Sequence, residues 1–349
     1  YFEKLYEIIM HLVHVIPNLK SGGAESFLLR LSNSLIADFK QTIFTFSNSK
    51  GDQLYNRFNE NISFLFKKND LIDHLIQKEN VIIICWMYPS IFYIENLLSK
   101  NKINVNVIWN IRHSKFRYFQ IKQKLGLLYL AFISSIKKRN IIYCAFTSRD
   151  YHQNYFFYRK KAVVINNRLT KELKINRSPQ EEDYFLYVGR FSHYKGSKKL
   201  LQIFESYCKQ TKPYKLKIIG AGWETIILSE SIKDHIEFVG YTSDLANYYS
   251  NAKAFLFTSI SEGYPNVLAE ACSFGIPIIS TNAGDTSKIL EDYSFSKIVN
   301  SKKEFIKELI QLKSPNQNEM EIEAQKFRTK NNFEVTKREY LTYLSNLNN

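Results

Sequence analysis

The chain has no CxxC pair. Its four cysteines, Cys85, Cys144, Cys208 and Cys272, lie far apart in the 349 residues. A disulfide framework and a zinc ribbon are therefore not expected, and a reducing compartment fits. No run of ~18 apolar residues occurs, so no segment is built to span a bilayer. No Asp-x-Asp pair follows a strand candidate, and no His, Asp and Glu group has the spacing of a metal site. There is no nucleophile elbow and no GxxxxGK(S/T) loop, which argues against metal-dependent hydrolysis and P-loop chemistry. Tyr1 opens the chain in place of Met, so residues ahead of it are expected. The opening stretch does not read as a basic-then-apolar signal peptide.

Apolar residues make up 45% of the chain and charged residues 23%, which are globular proportions. The length suggests two domains. The formal charge is +15, from 48 Lys and Arg against 33 Asp and Glu, and the excess is local. Residues 101–180 hold 17 basic and two acidic side chains, whereas the segments on either side balance. Between 96 and 149 there are eleven bases and no acid. There an apolar run, Leu125 to Ile136, follows Lys122 and Lys124 and precedes Lys137, Lys138 and Arg139. Phe116, Tyr118, Phe119, Tyr129 and Phe132 are interleaved. Such a segment suits an anionic membrane surface, each near-surface Lys or Arg contributing ~1 kcal/mol. A core helix with a solvated basic rim is the plainer alternative. Nucleic acid is not an expected partner, because zinc-finger spacing, RNP-like strings and helix-turn-helix repeats are missing.

Short apolar runs alternate with amphipathic stretches through the first half. Residues 7–16 read as a buried strand and 24–36 as a helix. QTIFTFS, ISFLF, VIIICWM, VNVIWNI, IIYCAFTS and AVVIN are further strand candidates. A polar stretch, 168–182, reads as a linker. A second alternation follows with YFLYVGR, LKIIGAG, IEFVGY, AKAFLFT, PIIST and FSKIV. The fold class is therefore α/β, with two Rossmann-like doubly wound domains in tandem and a cleft between them. The expected domains are 1–167, which carries the basic segment, and 183–330. The tail, roughly 317–347, reads as helical, and 331–349 is expected to pack back on the first domain. Open parallel sheets bind ligands at the carboxyl ends of their strands.

The most informative stretch is 257–281. A strand ends near Thr258, a loop carries Glu262, Gly263, Tyr264 and Pro265, and a helix begins near Asn266. Gly275 and Pro277 stop that helix before PIIST. Free N–H groups at Asn266, Val267 and Leu268 would form an anion site. Glu262 and Glu270 could accept hydrogen bonds from hydroxyls at the two ends of a phosphorylated ligand, or be ordinary helix carboxylates. YVGRFSHYKG places Arg190 directly after a strand and Lys195 five positions on, a fork and a point charge suited to a diphosphate or simply to solvent. In KLKIIGAGWE, Thr225 stands where a dinucleotide fingerprint needs its third glycine, so the signal for NAD is weak. HVIPNLKSGGAESF opens a helix at Gly22-Gly23, where a backbone can approach an anion. VIWNIRHS sets Arg112 and His113 at a strand end.

These blocks, taken in order, resemble a retaining glycosyltransferase of family 4 (glycosyl transferases group 1), with the GT-B fold. YVGRFSHYKG, LKIIGAGWE, IEFVGYTSD and SEGYPNVLAEACSFGIPIISTNAGD carry the resemblance, joined by GGAE and IRHS. It implies that Glu262 binds donor-sugar hydroxyls and Glu270 the ribose. It implies that Arg190 and Lys195 stabilise the diphosphate as a leaving group, and that amides around Asn266 and Val267, with Gly263 and Tyr264, hold the distal phosphate and sugar. Gly23 would approach the diphosphate, His113 would sit beside the reacting carbon, and Tyr241 would lie near the base. Asn-Asn-Arg at 166–168 departs from the family's usual Asn-Gly. No metal and no cofactor are implied. The expected partners are a nucleotide-sugar donor (UDP-sugar favoured), a saccharide or lipid-linked acceptor of polysaccharide or lipopolysaccharide synthesis, and an anionic membrane at the cytoplasmic face. A sugar-nucleotide epimerase on the same fold and a non-catalytic nucleotide- or nucleic-acid-binding protein are the alternatives. The first would need an acid/base pair at the sugar, and none is evident.

Overall fold

A computed structural model describes residues 10–20, 22–112, 121–168, 183–242 and 244–347, with 121–123 described in their backbone alone. The chain divides into two units, Tyr1–Asn166 with Thr336–Asn349, and Asn167–Val335. Apart from Arg168, the linker expected at 168–182 lies outside the described residues.

The first unit is built on strands β1 (His11–Ile16), β2 (Lys40–Thr45), β3 (Ser63–Leu65), β4 (Val81–Trp86), β5 (Asn106–Ile111), β6 (Asn140–Tyr143) and β7 (Ala162–Val164). They pair in parallel in the order β3-β2-β1-β4-β5-β6-β7. Helices α1 (Gly23–Ser34), α2 (Lys68–Gln77), α3 (Met87–Asn101), α4 (Ile121–Ile136) and α5 (Phe146–Gln153) lie between them along the chain. Every residue of β4, VIIICW, is buried, the mark of a central parallel strand covered on both faces. On α1, Phe27, Leu28 and Leu31 recur at helical spacing and are buried.

The second unit carries β8 (Tyr184–Val188), β9 (Lys215–Ile219), β10 (Ile236–Gly240), β11 (Ala252–Phe257), β12 (Ile278–Thr281) and β13 (Ser296–Val299). They form a second parallel sheet in the order β10-β9-β8-β11-β12-β13. Its helices are α6 (Ser197–Cys208), α7 (Ala246–Asn251), α8 (Asn266–Ser273), α9 (Thr286–Ile289), α10 (Lys302–Ile310) and α11 (Gln317–Lys330). Leu200, Ile203, Phe204 and Tyr207 form the buried stripe of α6. A last helix, α12 (Phe333–Ser345), places Tyr340 in the first unit. Its ring lies 6.1 Å from Phe27, and its hydroxyl accepts from Asn110 Nδ2 at 2.9 Å.

One local expectation is corrected. IIYCAFTS is not one strand: β6 stops at Tyr143 and Phe146 opens α5, with the Arg149 amide closing onto the Ala145 carbonyl at 3.1 Å. A continuous apolar run cannot by itself locate the change from strand to helix. The tail is helical as expected, in two pieces, α11 and α12. Asn331 and Asn332 break it, and the Asn332 side chain accepts from the Val335 amide at 3.1 Å as the chain restarts.

Glu95 of α3 is 4% exposed and ties α3 to the end of α4. Lys137 Nζ donates to its Oε2 at 2.8 Å, Arg139 Nη2 donates to the same oxygen at 2.9 Å, and Trp109 Nε1 donates to Oε1 at 3.1 Å. Burial pushes this carboxyl upward, and the bonds and charges of Arg139 and Lys137 outweigh burial, leaving it below 4.5. A carboxyl lowered by folding contributes stability above its unfolded value, and that stability is lost as pH falls through the folded one. Glu95→Gln is therefore expected to cost about 1–3 kcal/mol at neutral pH and to lose less stability than the wild type on acidification below 4.5. Urea midpoints of the full chain across pH check both.

Candidate functional site

In the second sheet, the strand order reverses between β8 and β11, and loops at the carboxyl ends of such neighbours splay apart to leave a crevice. The loop after β8 carries Arg190 and Lys195, and the loop after β11 carries Glu262. Lys195 Nζ donates to Glu262 Oε1 at 2.7 Å, with the two side chains 26% and 13% exposed. Ser259 Oγ donates to the same carboxylate oxygen at 2.8 Å.

Backbone bonds hold both loops. The Lys195 carbonyl accepts from Tyr187 Oη at 3.0 Å and from Thr258 Oγ1 at 3.2 Å. The Ile260 amide donates to the Tyr194 carbonyl at 2.8 Å, so the two loops are bonded directly. Thr281 Oγ1, at the end of β12, donates to the Ser259 carbonyl at 2.6 Å. Gly196 has φ +65°, and a Cβ there would overlap the Thr258 carbonyl. Gly284 has φ +63° and lies against the Glu262 and Gly263 carbonyls, where only a residue without a side chain fits.

Helix α8 begins at Asn266, behind Pro265. Its first amides, at Asn266 and Val267, have no intrahelical acceptor and point at whatever occupies the helix start. Two side-chain atoms beside them, Tyr264 Oη and Asn266 Oδ1, are buried without a partner among the described residues. Burial pushes the Tyr264 phenol far up, so it is a neutral donor at physiological pH. Glu270, about one turn on from Asn266, accepts from Tyr249 Oη at 3.2 Å, and that hydroxyl also reaches the Val267 carbonyl at 3.2 Å.

Lys195, Glu262, Gly263, Tyr264, Asn266, Val267 and Glu270 thus share one connected region. Arg190 follows the same strand as Lys195 and is exposed. Tyr241 follows β10, the outer strand, and is 69% exposed. Gly23 opens α1 in the first unit, where the Glu25 carboxyl folds back against Gly22 and burial pushes that carboxyl up. His113 lies outside the described residues. Its neighbour Arg112 packs its guanidinium 4.1 Å over the Phe27 ring and donates to Asn110 Oδ1 at 3.3 Å. Of the cations assigned to a membrane, the Lys122 side chain lies outside the described residues and Lys124 is half-buried. Lys137 and Arg139 close on Glu95, while Lys138 is exposed. Among the described residues no group of His, Cys, Asp or Glu is placed to hold a metal ion, and no helix is long and apolar enough to cross a membrane. Ser259, Thr281 and Tyr249 had no signal in the sequence beyond their nearness to Glu262 and Glu270.

Residues 170–331 match the family described as glycosyl transferases group 1. Over 315 residues the chain is 23% identical to the capsular polysaccharide biosynthesis glycosyltransferase CapH of Staphylococcus aureus, covering 82% of this chain and 86% of that one. It is 24% identical over 306 residues to a Campylobacter jejuni alpha-1,4-N-acetyl-D-galactosaminyltransferase whose name gives a diphosphoundecaprenol-linked saccharide, covering 81% and 82%. A further match, to an uncharacterized glycosyltransferase of Haemophilus influenzae, is 30% identical over 142 residues and spans 39% of this chain and 40% of that relative. The structure of HepE from Anabaena in complex with UDP superposes with a TM-score of 0.79 at 12% identity, over 97% of this chain and 100% of that one. The two parallel-sheet α/β units are those of the GT-B fold.

Gly284→Ala forces a Cβ into the Gly263 carbonyl at a left-handed backbone position. It is expected to lower stability by on the order of 1–3 kcal/mol. Gly51→Ala, which meets nothing within 4 Å, should not. Urea denaturation of the two variants checks the difference.

Proposed function

We propose that this chain is a glycosyltransferase that moves a sugar from a nucleotide-diphosphate sugar, with retention, to a lipid-linked saccharide. The product would be a surface polysaccharide or lipopolysaccharide built at the cytoplasmic face of the cell membrane. The observation that carries the reading is the Lys195–Glu262 pair at the reversal of strand order, next to a helix start with two buried polar atoms unpartnered among the described residues. That set offers cations and amides to a diphosphate and a carboxylate to sugar hydroxyls within one region. The match to the Campylobacter transferase supports a lipid-linked acceptor, and that to CapH supports a polysaccharide product. UDP in the similarly folded HepE supports a uridine donor.

Each group has a task in this reading. Lys195 has three donors, so it keeps Glu262 in place and still reaches a phosphate oxygen. Arg190 supplies a second, planar cation. The α8 amides take the distal phosphate, and Tyr264 and Asn266 satisfy the ligand's remaining donors and acceptors. Glu262 orients the sugar through its hydroxyls, and Glu270 takes the ribose. Gly23 and His113 are assigned to the diphosphate and to the reacting carbon, and Tyr241 to the base. The leaving diphosphate accepts the acceptor's proton, so the protein supplies fixed charge rather than a strong base. The chain's own cations neutralise the leaving group, and the reading invokes no metal and no cofactor.

Glu262→Gln and Arg190→Ala should each lower nucleotide release from the preferred sugar nucleotide by about 10²–10³-fold. Wild-type rates in both would overturn the site. In a thermal-shift series of UDP-, GDP- and ADP-sugars, the UDP-sugar should give the largest rise, about 2.7 kcal/mol of apparent stability at a hundredfold excess over Kd. A larger shift with another base would reassign the donor.

A further inference from the structure

Two large apolar side chains stand exposed on the loops that carry the Lys195–Glu262 pair. Tyr194, one position before Lys195, is 40% exposed, and Ile260, two positions before Glu262, is 52% exposed. Exposed apolar residues scattered singly need no explanation, but these two are fastened to each other through the backbone. The amides of Ile260 and Ser261 donate to the Tyr194 carbonyl at 2.8 and 3.4 Å. The His193 ring, itself exposed, meets the Tyr194 ring edge to face with centroids 6.0 Å apart. The loop beneath them is fixed. The Gly196 amide donates to the His193 carbonyl at 3.0 Å, and Gly196 leaves no room for a Cβ against the Thr258 carbonyl. An aromatic ring on such a loop has little freedom left to lose when it binds something.

We infer that Tyr194 and Ile260 form a platform for the saccharide ring that bears the attacking hydroxyl, packing against its face of C–H groups. This rests on the retaining transfer proposed above. With retention, the bond from the acceptor oxygen to the anomeric carbon forms on the face from which the diphosphate oxygen departs, and the acceptor's proton passes to that diphosphate. The acceptor therefore lies beside the cations that hold the leaving group, and Tyr194 adjoins Lys195 there. Stereochemistry thus gives the platform to the acceptor rather than to the donor sugar, whose hydroxyls are assigned to Glu262.

Size and surroundings select a sugar ring over a protein. A stable protein interface covers ~800 Å² per partner, far more than two side chains supply. A pyranose is amphipathic, with hydroxyls around its rim and C–H groups on its faces. The electron-rich face of a phenol ring suits those C–H groups. Lys195, Ser261 and Glu262, next along the same two loops, surround the apolar pair with polar groups for the rim.

The probes are octyl pyranosides of glucose, galactose, N-acetylglucosamine and N-acetylgalactosamine, offered to the full chain with the UDP-sugar that gives the largest thermal shift. Tyr194→Ala and Ile260→Ser should each raise KM for the best of these acceptors about tenfold, with KM for the donor changed less than about twofold. Tyr194→Phe, which keeps the ring face, should recover most of the loss. Both positions are exposed, so the variants should keep the wild-type unfolding midpoint. Binding is also read without turnover: in saturation-transfer NMR with UDP present, the pyranose C–H protons should receive saturation from the wild type and lose it in Tyr194→Ala. Four results would overturn the inference: an unchanged acceptor KM in both variants, an equal rise in donor KM, Tyr194→Phe as impaired as Tyr194→Ala, or no saturation of any pyranoside by the wild type. The second would give the pair to the donor sugar. Failure of the glycosyl-transfer reading itself shows separately, as no nucleotide release from any sugar nucleotide.

Discussion

Lys195 and Glu262 are separated by 67 positions and meet because β8 and β11 are neighbours where the strand order reverses. An ammonium and a carboxylate on adjacent loops attract strongly when partly shielded from water, yet each retains bonding capacity for a third party. What fixes the pair is the backbone beneath it. The hydroxyls of Tyr187 and Thr258 take the Lys195 carbonyl, and Thr281 takes that of Ser259. The charged groups therefore stand on three strand ends rather than on free loops. That is the difference between a surface ion pair and a preorganised polar site.

Two glycines show how tightly this region is closed. Gly196 faces the Thr258 carbonyl and Gly284 faces those of Glu262 and Gly263, both at left-handed backbone angles. The loop bearing Glu262 is thus bounded on one side by the β8 loop and on the other by the β12 loop. Tyr264 and Asn266 sit inside that enclosure with buried polar atoms unpartnered among the described residues, a condition folded proteins tolerate mainly where function asks for it.

Much of the fold was legible because central parallel strands such as VIIICW are buried apolar runs separated by amphipathic stretches. The stretch 257–281 was legible because Gly275 and Pro277 close α8 as sharply as the strand opens it. Side chains that act through strand order were not legible. Ser259, Thr281 and Tyr249 matter because β11, β12 and α7 are adjacent, and adjacency is not written in local composition. The partner of the basic cluster was not legible either. Lys137 and Arg139 read as surface charge, and their partner, Glu95, stands on another helix 42 and 44 positions away.

That carboxylate has a wider meaning. The electrostatic appearance of α4 is determined in part from underneath, by one acid on α3 that is itself hidden from solvent. Removing it would release two cations and repaint the neighbouring surface more positive without altering any residue of α4. Relatives of this chain could in this way tune their attraction to negatively charged surroundings by changing a position that no inspection of the exterior would single out.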